Sequence, residues 1–147
     1  MLGKLTIIAA LAGSALIAAQ DSPALFKQVR TDARQIHSTA MQMEKLAAQP
    51  NATWSQYDTQ WNVIKPVEEA LVLHLRTLEA KEKSLSPADR KIVDDAKPKI
   101  QDIAARTHQL RAFLDQPGVD VKSPKLNRYA RDLATEAAYL AQMTPHA

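Results

Sequence analysis

Apolar residues recur at alternating spacings of three and four along four stretches of this chain, and polar residues fill the positions between them. Such spacing averages about 3.5 residues, which puts the apolar side chains on one face of an α-helix. The pattern predicts helices over about residues 23–48, 54–84, 87–115 and 124–142. In the first stretch the apolar face consists of Phe26, Val29, Ala33, Ile36, Ala40, Met43 and Ala47.

Three Ser-Pro pairs, Ser22-Pro23, Ser86-Pro87 and Ser123-Pro124, mark predicted helix starts. A serine at the N-cap accepts a hydrogen bond from a free backbone amide. A proline at the first helical position lacks an amide that would have had no partner there. The remaining start is predicted at Thr53, because Gln56 three residues later completes a capping box.

The apolar seams and the short loops together predict the fold. Helices joined by short loops pack side by side in alternating directions, so we predict an all-α protein, an antiparallel up-down four-helix bundle with coiled-coil-like packing. Pro66 and Pro98 lie inside the long second and third helices and are expected to kink them, because each proline removes an intrahelical hydrogen bond. The alternative fold is an elongated hairpin of these two helices with the other two loosely docked. The sequence does not decide whether these kinks widen the bundle into a ligand site.

The first nineteen residues have the pattern of an export signal. Lys4 gives a short basic start, and the 15 residues of Leu5–Ala19 carry no charge. That run is shorter than the roughly 20 residues that a membrane-spanning helix needs, and small residues close it. We therefore predict a signal peptide over residues 1–19, a single four-helix domain over residues 20–147, and a periplasmic or secreted location without a stable membrane span after cleavage. A signal retained as an anchor is the alternative.

The composition excludes several kinds of active site. The chain has no cysteine, which rules out disulfides, thiol nucleophiles, thiolate metal sites and covalently attached haem. Only three glycines are present, too few for the loops that hold phosphates and dinucleotides. Nothing resembles an activated nucleophile, and we predict that the protein is not an enzyme. The formal net charge of +3, or +2 once Lys4 is removed with the signal, does not favour a nucleic-acid partner.

The histidines are the candidates for a metal or haem site. His74 lies within the aliphatic run Ala70–Leu78 and is predicted at the edge of the core, where its replacement by leucine should be neutral or stabilising. The alternative function is a haem- or metal-binding bundle, acting as an electron or metal carrier, that uses Met43 with His108, or His37 with His74. No histidine pair has a recognised ligand spacing, so we predict no cofactor and no metal.

Aromatic residues mark the start of the second helix, where Trp54, Tyr57 and Trp61 form a stripe. Such a stripe either plugs the end of a bundle with large rings or presents a surface to a partner, since Trp and Tyr dominate interface hot spots. Leu73 is predicted to point away from the core. These four residues form the predicted partner surface of an exported helical bundle that acts by protein binding or self-association, through a protein partner or a homo-oligomer.

Overall fold

The computed structural model describes residues 21–143 of the chain. These residues form four α-helices, α1 Ser22–Ala47, α2 Trp54–Ala80, α3 Pro87–Leu114 and α4 Pro124–Gln142, with a short 3-10 helix, Glu82–Ser84, between α2 and α3. Residues 21–143 contain no strand, and the all-α prediction is confirmed. The predicted signal peptide lies outside the described residues, and the single-domain prediction for residues 20–147 stays a prediction.

Side-chain caps set where the helices begin. Thr53 and Gln56 form the predicted capping box at α2, and Ser86 accepts a hydrogen bond from the amide of Asp89 at α3. The predicted cap at Ser22 is wrong. Asp21 is the N-cap of α1, and its carboxylate accepts from Ala24 N at 3.0 Å. The proline that follows therefore lies one residue deeper, which the first turn tolerates because its amides have no helical partner.

The second helix is shorter than the sequence predicts. It ends at Ala80 instead of residue 84, and the chain then tightens into the 3-10 turn that precedes Leu85. Leu85 is buried and joins the core from this turn. Both α2 and α3 continue through their internal prolines, Pro66 and Pro98, which are exposed.

The four helices pack in a closed ring around one core. α1 packs against α2 and α4, and α3 packs against the same two helices. α1 packs most extensively against α4, which does not favour a fold with these two helices loosely docked. This arrangement is compatible with a helical bundle, and no helix within residues 21–143 is long and apolar enough to cross a membrane. The largest fully buried side chains are Tyr57, Leu25, Ile36, Met43, Ile64, Leu71, Leu78, Ile100, Ile103, Leu110, Leu114 and Leu126.

Candidate interaction surface

A buried histidine–carboxylate pair joins α1 to α2. The Nδ1 atom of His74 lies 2.7 Å from Oδ2 of Asp32, and both residues are buried. Because a carboxylate only accepts hydrogen bonds, Nδ1 donates in this contact. His74 therefore has a specific partner within the core, and the expectation that leucine could replace it without cost has to be revised. Removing one partner of a buried pair strands the other.

Sequence reasoning missed Asp32, although the sequence held a signal for it. Leu25, Val29, Ile36 and Met43 form an apolar row on α1, and Asp32 occupies a position in that row between Val29 and Ile36. A carboxylate on an apolar face is costly unless it finds a partner on a neighbouring helix. The single histidine within the aliphatic run of α2 was the matching signal.

The other histidines and Met43 do not converge on a common site. His37 donates from Nδ1 to the carbonyl oxygen of Ala134 on α4 at 2.9 Å. His108 is exposed on α3, whereas Met43 is fully buried. Within the part of the chain that the structure describes, no group of three or more His, Asp or Glu side chains could hold a metal ion.

The two tryptophans of the aromatic stripe fasten α2 to α3. Trp54 donates from Nε1 to the carbonyl oxygen of Leu114 at 2.7 Å, and Trp61 donates to that of Thr107 at 3.0 Å. Each indole therefore has a partner for its only donor and lays its ring along α3. The start of α2 lies beside the end of α3. Trp54 is 39% exposed and Trp61 is half-buried.

Arg111 of α3 lies between the two indole rings. Its guanidinium carbon is 5.6 Å from the ring centroid of Trp54 and 4.9 Å from that of Trp61. The same guanidinium pairs with Asp115, and with Oδ1 of Asp58 at 2.6 Å. Its hydrogen bonds to Asp115 and then Asp58 raise the pKa of Arg111, so the stacked cation is held fully charged. The aromatic stripe thus acts as an internal clamp between two helices.

Tyr57 belongs to the core. Its side chain is fully buried, and its hydroxyl has no hydrogen-bond partner among the described residues. Burial raises the pKa of Tyr57, because the phenolate would lose its hydration. The predicted surface therefore divides: Tyr57 lies inside the bundle, Trp61 lies partly inside it, and Trp54 and Leu73 are exposed.

Exposed large hydrophobic side chains concentrate on α2. Three of the five such residues in the described chain lie on this helix: Trp54, Val63 at 38% exposure and Leu73 at 36%. The other two are Met41 on α1 and Tyr139 on α4. Val63 and Leu73 lie about 80° apart on a helical wheel. Leu73 points away from the core, and Val63 lies toward the flank of the same outward side. This outward side of α2 is the candidate interaction surface.

An open groove between α2 and α3 runs along one flank of this surface. A cavity of about 300 Å³ there is lined by Val72, Leu75 and Arg76 of α2 and by Ile100 of α3, among others. A neighbouring cavity of about 210 Å³ shares the Glu79–Lys97 pair, whose charged atoms lie 3.2 Å apart. Arg76 is exposed and stands between the groove and the outward side of α2.

Comparison with known proteins gave no match to any family model, curated protein or solved structure.

Proposed function

We propose that this protein is an exported, non-enzymatic helical bundle that acts by binding protein through the outward side of α2. One observation carries the proposal: two of the exposed large hydrophobic residues, Val63 and Leu73, share that side. Single exposed leucines are common on soluble proteins, whereas grouped ones on one helix mark an interaction surface. Trp54 adds a third exposed hydrophobic residue on the same helix.

The proposed architecture is an antiparallel up-down bundle with kinks at Pro66 and Pro98. The contacts between α2 and α3 support opposite directions, because Trp54 meets Leu114 near one end and Glu79 meets Lys97 toward the other. Between α1 and α4, His37 contacts Ala134 and Glu44 lies 3.9 Å from Arg131, so residue numbers rise along α1 as they fall along α4, which supports the same order. Two missing backbone donors in long helices support the kinks.

The proposal of export rests on the sequence of the first nineteen residues. A basic start, an uncharged run of 15 residues and a small-residue end support a cleavable signal and a periplasmic or secreted location. The exported chain is then expected to begin at Gln20. Intact-mass measurement of the protein recovered from the periplasm or the medium tests this, and a chain that retains residues 1–19 would contradict it.

A haem- or metal-carrying bundle is the weaker proposal. Met43 is buried and His108 exposed, so this pair offers no shared axial site. His37 and His74 each use one ring nitrogen in a contact to a neighbouring helix. An absorption spectrum with metal analysis of the exported protein, purified without chelator, tests the alternative directly. A haem band or stoichiometric metal would favour it over protein binding.

Site-specific photo-cross-linking tests the protein-binding proposal. A photoreactive amino acid replaces Leu73 in the full-length chain, which is expressed in cells that export it. Met41 on α1 is the matched control position, because it is also a large hydrophobic residue and is 41% exposed. We expect a discrete protein adduct from position 73 that position 41 does not give. Equal adducts at both positions, or none at either, would overturn the proposal.

A further inference from the structure

The outward side of α2 carries a second heptad pattern in addition to the one that faces the core. Its residues recur at alternating spacings of four and three, and all seven are uncharged. We call this row the outer seam. It consists of Thr59, Val63, Pro66, Ala70, Leu73, Thr77 and Ala80, and five of these seven residues are exposed, Ala70 and Thr77 being half-buried.

The outer seam and the core seam lie on opposite sides of α2. Tyr57, Ile64, Leu71 and Leu78 are spaced seven residues apart and are all buried. At about 100° per residue, their mean direction lies roughly 140° from that of the outer seam. An apolar heptad repeat is the pattern of a helix that packs against another helix. The outer seam meets this pattern in part, with Val63 and Leu73 as its large apolar members among threonine, alanine and proline. α2 therefore has one repeat that is occupied by its own bundle and a second one that is unoccupied within residues 21–143.

The polar atoms within the outer seam are satisfied by α2 itself. Thr59 donates from Oγ1 to the carbonyl oxygen of Ser55, and Thr77 donates to that of Leu73, both at 2.9 Å. With the hydroxyls bonded to their own helix, burying these threonines strands no donor. α2 is also the most apolar of the four helices in average composition. The seam can therefore be desolvated at low cost.

The charges beside the outer seam are complementary to a second copy of themselves. Glu69 and Arg76 flank the seam on the same edge, seven residues apart. Glu69 lies 3.4 Å from Lys65 and is 64% exposed, whereas Arg76 is exposed and makes no ion pair within the described chain. In an antiparallel pair of identical helices related by a two-fold axis near residues 72 and 73, each Glu69 faces Arg76 of the other copy. In a parallel pair the two-fold axis runs along the helices, so Glu69 and Arg76 of the two copies lie on opposite edges of the contact and do not meet.

From this register we propose that the outer seam binds a second copy of this chain, α2 against α2 in antiparallel orientation, with Leu73 near the two-fold axis. The proposal rests on the proposed function and names its partner. The seam runs from Thr59 to Ala80, 22 residues or about 32 Å along the helix, so each copy offers a single helix face. A contact of this size favours a reversible dimer, so concentrations from about 1 μM to several hundred μM have to be covered.

The first test measures the oligomeric state of the exported protein by sedimentation equilibrium. Leu73→Glu places two carboxylates against each other at the two-fold axis, and we expect at least about tenfold weaker dimerisation. Met41→Glu introduces the same charge on α1 and should leave the dimer unchanged. Equal helical content by circular dichroism shows that each variant is folded. A wild-type protein that stays monomeric throughout would overturn the proposal.

Charge reversal tests the antiparallel register without relying on Leu73. Glu69→Arg and Arg76→Glu each bring like charges together and should each weaken the dimer, by about threefold or more. The double variant Glu69→Arg/Arg76→Glu restores opposite charges between copies and should recover the wild-type dissociation constant. A different binding partner would not be rescued by this exchange. A dimer that persists but shows no rescue would overturn the register.

Thiol cross-linking gives an independent measure, because the chain has no cysteine of its own. Leu73→Cys should cross-link to Leu73→Cys of a second copy with a short bifunctional reagent, whereas Met41→Cys should not. The outcomes separate the two proposals. A monomer whose position 73 cross-links to a different protein in cells would overturn the dimer and leave the protein-binding function standing. A monomer without a specific adduct would overturn both.

Discussion

The contact between His74 and Asp32 ties the second helix to the first from inside the core. The two side chains lie 2.7 Å apart, and neither has much access to water. A buried pair of this kind adds little over an apolar pair of the same size, because both groups lose their hydration. Its importance lies in the consequence of losing one partner, which leaves a polar group buried without a hydrogen bond.

We expect His74→Leu to lower the free energy of unfolding by about 3 kcal/mol, because Asp32 would be left buried without its donor. The double variant Asp32→Leu/His74→Leu should recover most of that loss, to within about 1 kcal/mol of wild type, since it removes both polar groups. Urea denaturation of the single and double variants measures the coupling. Additive losses in the double variant would show that the two side chains act independently.

Tyr57 is expected to behave in the opposite way, because its buried hydroxyl has no partner among the described residues. Tyr57→Phe should be neutral or stabilise the protein by up to about 1 kcal/mol at pH 7. Tyr139→Phe, at an exposed position, is the matched control and should have no effect. Denaturant midpoints of the two variants and the wild type give the comparison. A clear loss of stability in Tyr57→Phe would indicate a hydrogen bond to water that the hydroxyl requires.

The alkaline behaviour of Tyr57 follows from its raised pKa. The folded state holds the phenol neutral, while the unfolded chain ionises near pH 10. Below about pH 10 this difference does not change the free energy of unfolding. That free energy falls as the pH rises from there through the folded pKa, because only the unfolded state gains from ionisation. Tyr57→Phe should lose less stability than wild type between about pH 9 and pH 11. An unchanged difference between the two proteins over this range would contradict the raised pKa.

The α-helices depend on the caps at their first residues, and α1 offers a direct comparison of two neighbouring candidates. Asp21 accepts the hydrogen bond of Ala24 N, whereas Ser22 is already the first helical residue. We expect Asp21→Ala to lower the free energy of unfolding by about 1 kcal/mol and Ser22→Ala to change it by less than about 0.5 kcal/mol. Thermal or urea unfolding of the two variants measures both values. The reverse order would place the cap at Ser22.

The Ser86→Ala variant serves as the reference for these caps, because Ser86 was identified from sequence and accepts from Asp89 N at 3.1 Å. Its free energy of unfolding should be about 1 kcal/mol lower than that of wild type, as expected when an N-cap serine is removed.

The four helices could be predicted from sequence because each buries one apolar face, and the residues of that face recur every three or four positions. Their ends were harder. Asp21 and Ser22 are both good caps, so composition alone does not choose between them. Residues 81–84 are all polar, so no apolar spacing marks where the helix stops, and a 3-10 turn accommodates them as readily as another helical turn. Periodicity reports which side is buried, and less reliably where a helix stops.

The candidate surface was predicted only in part. A helical wheel shows in which direction a side chain points, but it does not show which residue of another helix that side chain contacts. Leu73 was placed outward correctly, and its exposure agrees. The sequence left Trp54 and Trp61 as a plug at the end of the bundle or as a partner surface. Only their contacts to Leu114 and Thr107 show that the indoles fasten α2 to α3. Asp32 was missed because its partner lies 42 residues away, a separation that local patterns do not register.

In the whole molecule, α2 has two sides that can pack against other helices. One repeat is filled by the core of its own bundle, and the outer seam is proposed to be filled by another copy. The monomer does not need the outer seam to bury its large apolar residues, because Ile64, Leu71 and Leu78 already pack inward. We therefore expect a folded monomer at low concentration and a dimer of folded bundles at higher concentration, instead of folding that requires dimerisation.

This arrangement predicts how the melting temperature depends on protein concentration. Where the dimer is populated, unfolding includes dissociation, so a tenfold increase in concentration stabilises the dimer by about 1.4 kcal/mol. The melting temperature should then rise by about 2–4 °C per tenfold increase. Below the dissociation constant it should level off, because the core of each bundle keeps the monomer folded. Leu73→Glu should have the melting temperature of the monomer at all concentrations, and Met41→Glu should show the same concentration dependence as wild type. A melting temperature independent of concentration in all three proteins would show that the outer seam contributes nothing to the stability of this molecule in solution.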